Sequence, residues 1–417
     1  MATDLRTSPH MIPFSPPRID DRTIRAVEEA LRSGWITTGP RTKEFERRLA
    51  AYCGVDRAIA LNSWTNACEL VLRWFGIGPG DEVVLPAYTY CATANIVEHV
   101  GATAVLVDVL EDLTLDPEDV QRKLSTATKC IIPVDIGGLP AIMRRIMSMA
   151  EGQRTTFKPA QGNMPQQLLG RPLVLSDAAH SFGARIQGRP VGAQADITGF
   201  SFHAVKNLTT AEGGALTFHL PEAFDPEEVY GWFNVMSLHG QSKDALAKSR
   251  PGAWRYDVTA PGYKCNMTDL QAAIGLVELE RYDRETLPRR RAICERYQDA
   301  FATDQRFVPP VLEDSERTSS FHLYMLRVRD ASEGQRDAII EAISRHEVSV
   351  NVHFRPLPLL TYYSGRGYAM SDQPNAYRHY AREISLPVFY DLSDAQVDIV
   401  IAAVKAAVEE VLGPSAD

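Results

Sequence analysis

Cysteine is sparse and scattered in this chain. Its six cysteines, Cys53, Cys68, Cys91, Cys130, Cys265 and Cys294, contain no C-x-x-C pair. That leaves no metal site of the paired-cysteine kind, and most of the six sit in apolar surroundings and read as small core residues. The pattern fits a reducing, cytoplasmic setting. Positive charge is also short: 44 Lys and Arg face 53 Asp and Glu, a formal net charge of −9. A nucleic-acid protein needs clustered Lys and Arg for phosphate contacts, so the charge argues against that class; it does not argue against an anionic ligand in a local basic pocket. No run approaches the ~20 apolar residues of a membrane helix. Met1 to Pro16 has no apolar h-region, so a signal peptide is not expected there. Internal repeats and low-complexity tracts are absent too. What remains is ordinary globular composition, 45% apolar and 23% charged over 417 residues, enough for two domains or one large core with an appendage.

The informative stretch is Ser201-Phe-His-Ala-Val-Lys-Asn-Leu-Thr-Thr-Ala-Glu-Gly-Gly-Ala215. The apolar run Ile197 to Phe202 precedes it, Ala215 to Phe218 follows, and a Gly-Gly pair lies between. Lys206 therefore falls in a tight loop between two strands, where open α/β sheets build their sites. Most lysines are solvated surface residues. A desolvated one loses its proton more readily and attacks carbonyl carbon, as pyridoxal phosphate (PLP) chemistry requires. Upstream, Leu173 to Leu175 reads as a buried strand with Asp177 just past its carboxyl end and His180 three residues on. Asp177 alone could be a helix cap. Paired with a lysine after a second strand, it suits a partner for a pyridinium nitrogen.

With these residues the chain resembles the DegT/DnrJ group of sugar-nucleotide aminotransferases, in the aspartate aminotransferase superfamily. The resemblance rests on Ser176-Asp-Ala-Ala-His-Ser-Phe-Gly-Ala184, on Ser201 to Gly214, and on Pro261-Gly-Tyr-Lys-Cys-Asn-Met-Thr-Asp-Leu-Gln-Ala-Ala-Ile-Gly275. It runs from about Ile12 to the C-terminal helix. It implies an α/β protein of PLP fold type I. A large domain with a mostly parallel mixed sheet flanked by helices would span 1–248, and a smaller C-terminal α/β domain 249–417. The alternation of strand and helix signals agrees with a parallel-rich sheet. In the smaller part, His322 to Arg329 and Val348 to Phe354 read as strands around a helix, Gly334 to Arg345, before a final helix, Ser393 to Leu412. Gly152 to Gln167, rich in polar residues, Gly and Pro, reads as an inserted surface loop.

The resemblance also assigns roles. Lys206 would carry the cofactor and shuttle the proton, Asp177 would hold the ring nitrogen's proton, and His180 would bond near the ring's 3′-oxygen. Asn62-Ser-Trp-Thr-Asn-Ala67 opens a helix whose amide groups suit a phosphate, which the family assigns to Thr65 and Asn66. Trp64 stands where the family often has a small residue. Ser201 and Asn266 would complete the phosphate site, Asn266 from the partner of a homodimer with shared active sites. Tyr90 would stack on the ring. Trp35, His353 and Phe354 would lie near the sugar. His203 and the sequence Leu208-Thr-Thr-Ala-Glu-Gly-Gly214 follow the pattern of enzymes aminating C4 of a 4-keto-6-deoxy sugar, although Ala211 replaces a glycine. The implied substrates are a nucleotide-linked keto sugar and glutamate. The alternatives are a C3 sugar aminotransferase, a PLP-dependent sugar dehydratase and a non-enzymatic regulator. The dehydratases carry histidine where Lys206 stands, and a regulator would have no use for Asp177 and Lys206.

Overall fold

The computed structural model describes residues 11–243 and 255–414. Its larger layer begins with β1 (Ala58–Leu61), β2 (Glu82–Pro86), β3 (Thr103–Val107), β4 (Thr128–Ile131) and β5 (Leu173–Asp177). A short hairpin, β6 (Arg185–Ile186) and β7 (Arg189–Pro190), leads to β8 (Ile197–Ser201) and β9 (Gly214–Phe218). Seven of these form one sheet in the order β1-β9-β8-β5-β4-β2-β3. β2 lies parallel to β3 and β4, β4 to β5, and β5 to β8. β9 runs antiparallel to both β8 and β1. The sheet is therefore mixed and mostly parallel, as expected. Its central strands are buried along their length, which is why they read as continuous apolar runs. β4 stops at Ile131; Pro133 has no N–H to continue a ladder, and Val134 makes an isolated bridge to Asp177. Asp177 is the last residue of β5, not the first beyond it.

A second core forms around β10 (Phe307–Val308), β12 (Tyr324–Val328) and β13 (Glu383–Leu386), an antiparallel sheet in that order; β11 (Arg317–Thr318) instead pairs with β6. Ile293, Tyr297, Ile339 and Val400, from helices Leu287–Phe301, Glu333–Arg345 and Asp394–Leu412, pack into it. The expected strand Val348 to Phe354 is not one. Val348 bridges Ile12 and Asn351 bridges Ser385, and no ladder extends between them. The His353 N–H bonds the Glu383 carboxylate instead, which turns the segment toward the larger half. The strand that pairs with β12 on the side away from β10 is β13, which the sequence reading left out. The expected division at 248/249 lies outside the described residues. Helix Asp269–Arg281 packs on helices Asp21–Arg32 and Pro40–Cys53 of the larger half. The carboxylate of Asp269 caps Pro40–Cys53 by accepting from the Gly39 and Thr42 N–H groups, because Gly39 has no side chain to do so.

The 152–167 segment is more than a surface loop. It contains helix Met164–Leu169, capped by Asn163. Asn163 Nδ2 and Gln166 Nε2 both donate to the carbonyl of Phe75 (3.0 and 2.7 Å), which ends helix Trp64–Trp74. Gln166 is fully buried.

Candidate active site

A cavity of about 410 Å³ opens where β5 and β8 end, between the start of helix Trp64–Trp74 and the His353 segment. This is the carboxyl edge of the sheet, where the chain leaves both strands and side chains converge. Thr65, Tyr90, Asp177, His180, Ser201, His203, Lys206, His353 and Phe354 all line it. Lys206 sits in a turn closed by its own N–H to the His203 carbonyl (2.9 Å), and the Thr210 N–H to Phe202 O (2.9 Å) closes the wider loop. Ala211 takes the left-handed conformation, φ 69°, that its Cβ disfavours, and its N–H bonds Thr209 Oγ1. His203 and Glu212 face each other across the loop at 3.6 Å.

Burial lowers the Lys206 amine to about 8, with Asp177 opposing the shift. Burial raises Asp177 to about 6, against hydrogen bonds from Thr93 and the Ala179 N–H and the charge of Lys206. Thr93 Oγ1 donates to Asp177 Oδ2 at 2.8 Å, and Thr89 stands behind Thr93 at 2.9 Å. Two carboxylate oxygens with two donors leave lone pairs free for a protonated ring nitrogen.

Three histidines face this pair. His180 accepts at Nδ1 from the Gly137 N–H (3.2 Å), so its hydrogen is on Nε2. His322, which the sequence reading took only as the start of a strand, lies 4.4 Å from it, ring centre to ring centre. His353 bonds Ser385 through Nδ1, and Phe14 stacks on it at 5.5 Å. Burial holds all three well below the ordinary histidine range. The sequence carried no signal for His322, Thr93, Ser385 or Phe14: each is one ordinary residue brought in by a different element.

At the cavity's other end, Ser63 Oγ caps helix Trp64–Trp74 by accepting from the Asn66 N–H. The N–H groups of Trp64 and Thr65 stay unclaimed among the described residues and suit an anion. Trp64, 5% exposed, lies on Gly199 of β8, where any Cβ would meet its Nε1 at 2.9 Å and Cys68 Sγ at 2.3 Å. A Cβ on Gly214 would meet the Trp64 backbone nitrogen at 2.4 Å. The glycines thus make room for the helix start, and Gly199 makes room for the large side chain at 64. A carboxylate, an amine of lowered pKa and an anion-ready helix start in one cavity fit the ring nitrogen, carbonyl and phosphate of PLP.

Three expected residues do not line this cavity. The Asn66 side chain turns back to Asn62 Oδ1 (2.8 Å). Asn266 bonds Thr38 Oγ1 (2.6 Å). Trp35 lies over Gly39 and donates from Nε1 to Thr38 O (3.1 Å). Trp35 and Asn266 thus share one cluster around Thr38, outside the cavity that Lys206 lines. Tyr90 is 59% exposed at the cavity mouth, 5.6 Å from Phe354.

Comparison with known proteins agrees with this geometry. A sugar aminotransferase from Streptococcus pneumoniae in its PMP form superposes with a TM-score of 0.92 at 45% identity, covering 96% of this chain and 100% of that one. The same protein in its PLP form gives 0.91 at 44%, covering 96% and 99%. PseC of Helicobacter pylori, an aminotransferase involved in pseudoaminic acid biosynthesis, gives 0.84 at 25%, covering 96% and 100%. The spore coat polysaccharide biosynthesis protein SpsC of Bacillus subtilis is 39% identical over 401 residues, 95% of this chain and 97% of that protein. A family profile matches residues 17–157 and 170–405, leaving out most of the inserted segment. The chain belongs to the DegT/DnrJ/EryC1/StrS aminotransferase family.

Proposed function

We propose that the protein is a PLP-dependent aminotransferase that moves an amino group from glutamate to C4 of a nucleotide-linked 4-keto-6-deoxy sugar. The observation that carries the reading is Lys206 and Asp177 facing one cavity at the sheet's carboxyl edge. PLP supplies the electron sink for the donor's Cα–H bond. Lys206 would hold and move the proton at its Nζ, work suited to an amine that burial lowers to about 8. Asp177 holds a proton on the ring nitrogen. His180 offers its Nε2–H to the ring oxygen. The start of helix Trp64–Trp74, with Thr65 and Ser201, binds the phosphate. His353 and Phe354 orient the sugar.

The assignment to C4 is supported by the Thr209-Thr210 pair, Glu212 and His203 in the lysine loop. That loop and the sugar pocket decide which carbon reaches the reacting position. Asn266 and Trp35 lie outside the cavity that this chain's Lys206 lines, which suits delivery into a partner's cavity in a homodimer with shared active sites. Cytoplasmic placement agrees with six free cysteines and a helix set in which none, among the described residues, could cross a membrane. Incubation with glutamate and separate 3-keto and 4-keto nucleotide sugars, with NMR of the products, tests the assignment. Turnover of the 4-keto sugar is expected; efficient turnover of the 3-keto sugar alone overturns it.

A further inference from the structure

Behind His353 stands a chain of hydrogen-bonded groups. Glu383 opens β13, and Ser385, two residues on, lies on the same face of the strand. Both are fully buried. His353 Nδ1 lies 2.9 Å from Ser385 Oγ, and Ser385 Oγ lies 2.5 Å from Glu383 Oε1. The other carboxyl oxygen, Oε2, accepts from the His353 N–H at 2.9 Å, and the Tyr88 hydroxyl donates to the His353 carbonyl at 2.7 Å. The residue is thus tied through its backbone and through Nδ1. Nε2 has no hydrogen-bond partner among the described residues, on a ring that lines the same cavity as Lys206.

A serine hydroxyl has one hydrogen, so this chain runs in one of two directions. Oε2 already accepts from the His353 N–H, so a proton on Glu383 belongs on Oε1. The acid then donates to Ser385, Ser385 donates to His353 Nδ1, and the imidazole hydrogen sits on Nε2. With Glu383 ionised, Ser385 donates to the carboxylate, Nδ1–H donates to Ser385, and Nε2 is bare. Burial raises the Glu383 carboxyl to about 8, against the hydrogen bonds from Ser385 and the His353 N–H and the charges of Arg336 and Arg327. Arg327 stands opposite Glu383 on β12, beside His379 and Glu111, and Arg336 of helix Glu333–Arg345 donates to the Glu383 carbonyl at 3.1 Å. Tyr88, just past β2, is the further titratable group beside it. On the cavity side His353 interacts with Lys206, His180 and His322, and burial with the Lys206 charge keeps its ring neutral.

We propose that Glu383 and Ser385 are positioning residues that direct the hydrogen of His353 to Nε2, so that this nitrogen donates to an oxygen of the bound sugar, and that ionisation of Glu383 reverses the chain and withdraws the donor. The inference rests on the reading of His353 as a residue that orients the sugar. The proton count balances: on ionisation each hydrogen moves one place toward the ring, and one proton leaves from Nε2 to water.

The test uses the PLP-loaded protein with ¹⁵N-labelled histidine, the His353 signals being those lost in His353→Phe. The hydrogen is expected on Nε2 below pH 8 and on Nδ1 above it. Glu383→Gln, whose amide donates to Ser385 as the acid does, should hold it on Nε2 on both sides. A hydrogen on Nδ1 below pH 8, or the same response to pH in both proteins, overturns the proposal. Kinetics give a second arm. In wild type, KM for the 4-keto nucleotide sugar should rise about fivefold as pH passes 8, the loss of one hydrogen bond. That rise should be missing in Glu383→Gln, which keeps Lys206 and its titration. Ser385→Ala breaks the chain and should show the raised KM below pH 8, the loss falling on KM rather than kcat. A wild-type KM in Ser385→Ala overturns the proposal. The two readings separate in His353→Phe. An unmoved KM there sinks His353 as a sugar ligand and this proposal with it. A raised KM there, with the wild-type hydrogen on Nδ1 below pH 8, sinks only the roles of Glu383 and Ser385.

Discussion

Lys206 and Asp177 titrate toward each other from opposite ends of the pH scale. Lys206→Ala should lose at least about 10²-fold in rate from the proton transfer alone, together with the cofactor's visible absorption band and the borohydride label. An unchanged turnover rate contradicts the assignment. The cofactor-free protein adds a pH signature. Lys206 titrates at about 8 folded against 10.5 unfolded, so the native state binds fewer protons between these values. The cost of burying the charged amine is present below about pH 8 and is relieved as pH rises to 10.5. Denaturant unfolding of wild type and Lys206→Met across this range should show wild type gaining stability relative to the variant. Parallel curves would mean that the amine is not desolvated.

At the scale of elements, the helix that presents Thr65 to the cavity is held at both ends. Ser63 caps its start, and the inserted segment closes its end at Phe75 O through Asn163 and Gln166. Gln166→Leu removes a buried donor and leaves the Ala160 N–H, which bonds Gln166 Oε1, without its partner. A loss of about 1–3 kcal/mol is expected by denaturant unfolding. Asn163→Ala should cost about 1 kcal/mol, through the cap it provides for its own short helix. Wild-type stability in both variants would show that the insertion does not anchor the helix. The segment read as a loop because its polar and Gly-Pro composition hides a short six-residue helix whose Gln166 and capping Asn163 amides point inward. The strand expected at Val348 to Phe354 failed for a related reason. Its β-type residues have partners on only one side at a time, and His353 is diverted to Glu383.

At the scale of the molecule, helix Asp21–Arg32 leaves Ile24 and Leu31 each 55% exposed, and Ile36 and Tyr263 are also exposed. Ile36 and Tyr263 lie close in the chain to Trp35 and Asn266, two of the expected site residues that do not line the cavity of their own lysine. A shared-site homodimer accounts for both observations. Lys206→Ala and Asn266→Ala proteins, each expected to be impaired, should regain activity when mixed, because hybrid dimers contain one site free of both substitutions. A fully active monomer by light scattering, or no recovery after subunit exchange is demonstrated, would exclude it.

The sequence by itself determined the parallel-rich sheet, the lysine loop, and the pairing of Lys206 with Asp177. Each is written in local signals: buried β-type runs, a Gly-Gly turn, and charged residues at strand ends. The helix caps at Asp20, Thr268 and Ser393 belong to the same local class, because a cap is a contact between near neighbours in the chain. Only the tertiary structure decided what surrounds that pair. Thr93, His322, Ser385 and Phe14 come from four separate elements. Their meeting depends on how the two cores pack, which no local pattern encodes. The tautomers of His180 and His353 lie further still from the sequence. They depend on a backbone N–H from Gly137 and on Ser385 and Glu383 of β13, partners far along the chain that only the fold brings within hydrogen-bond distance.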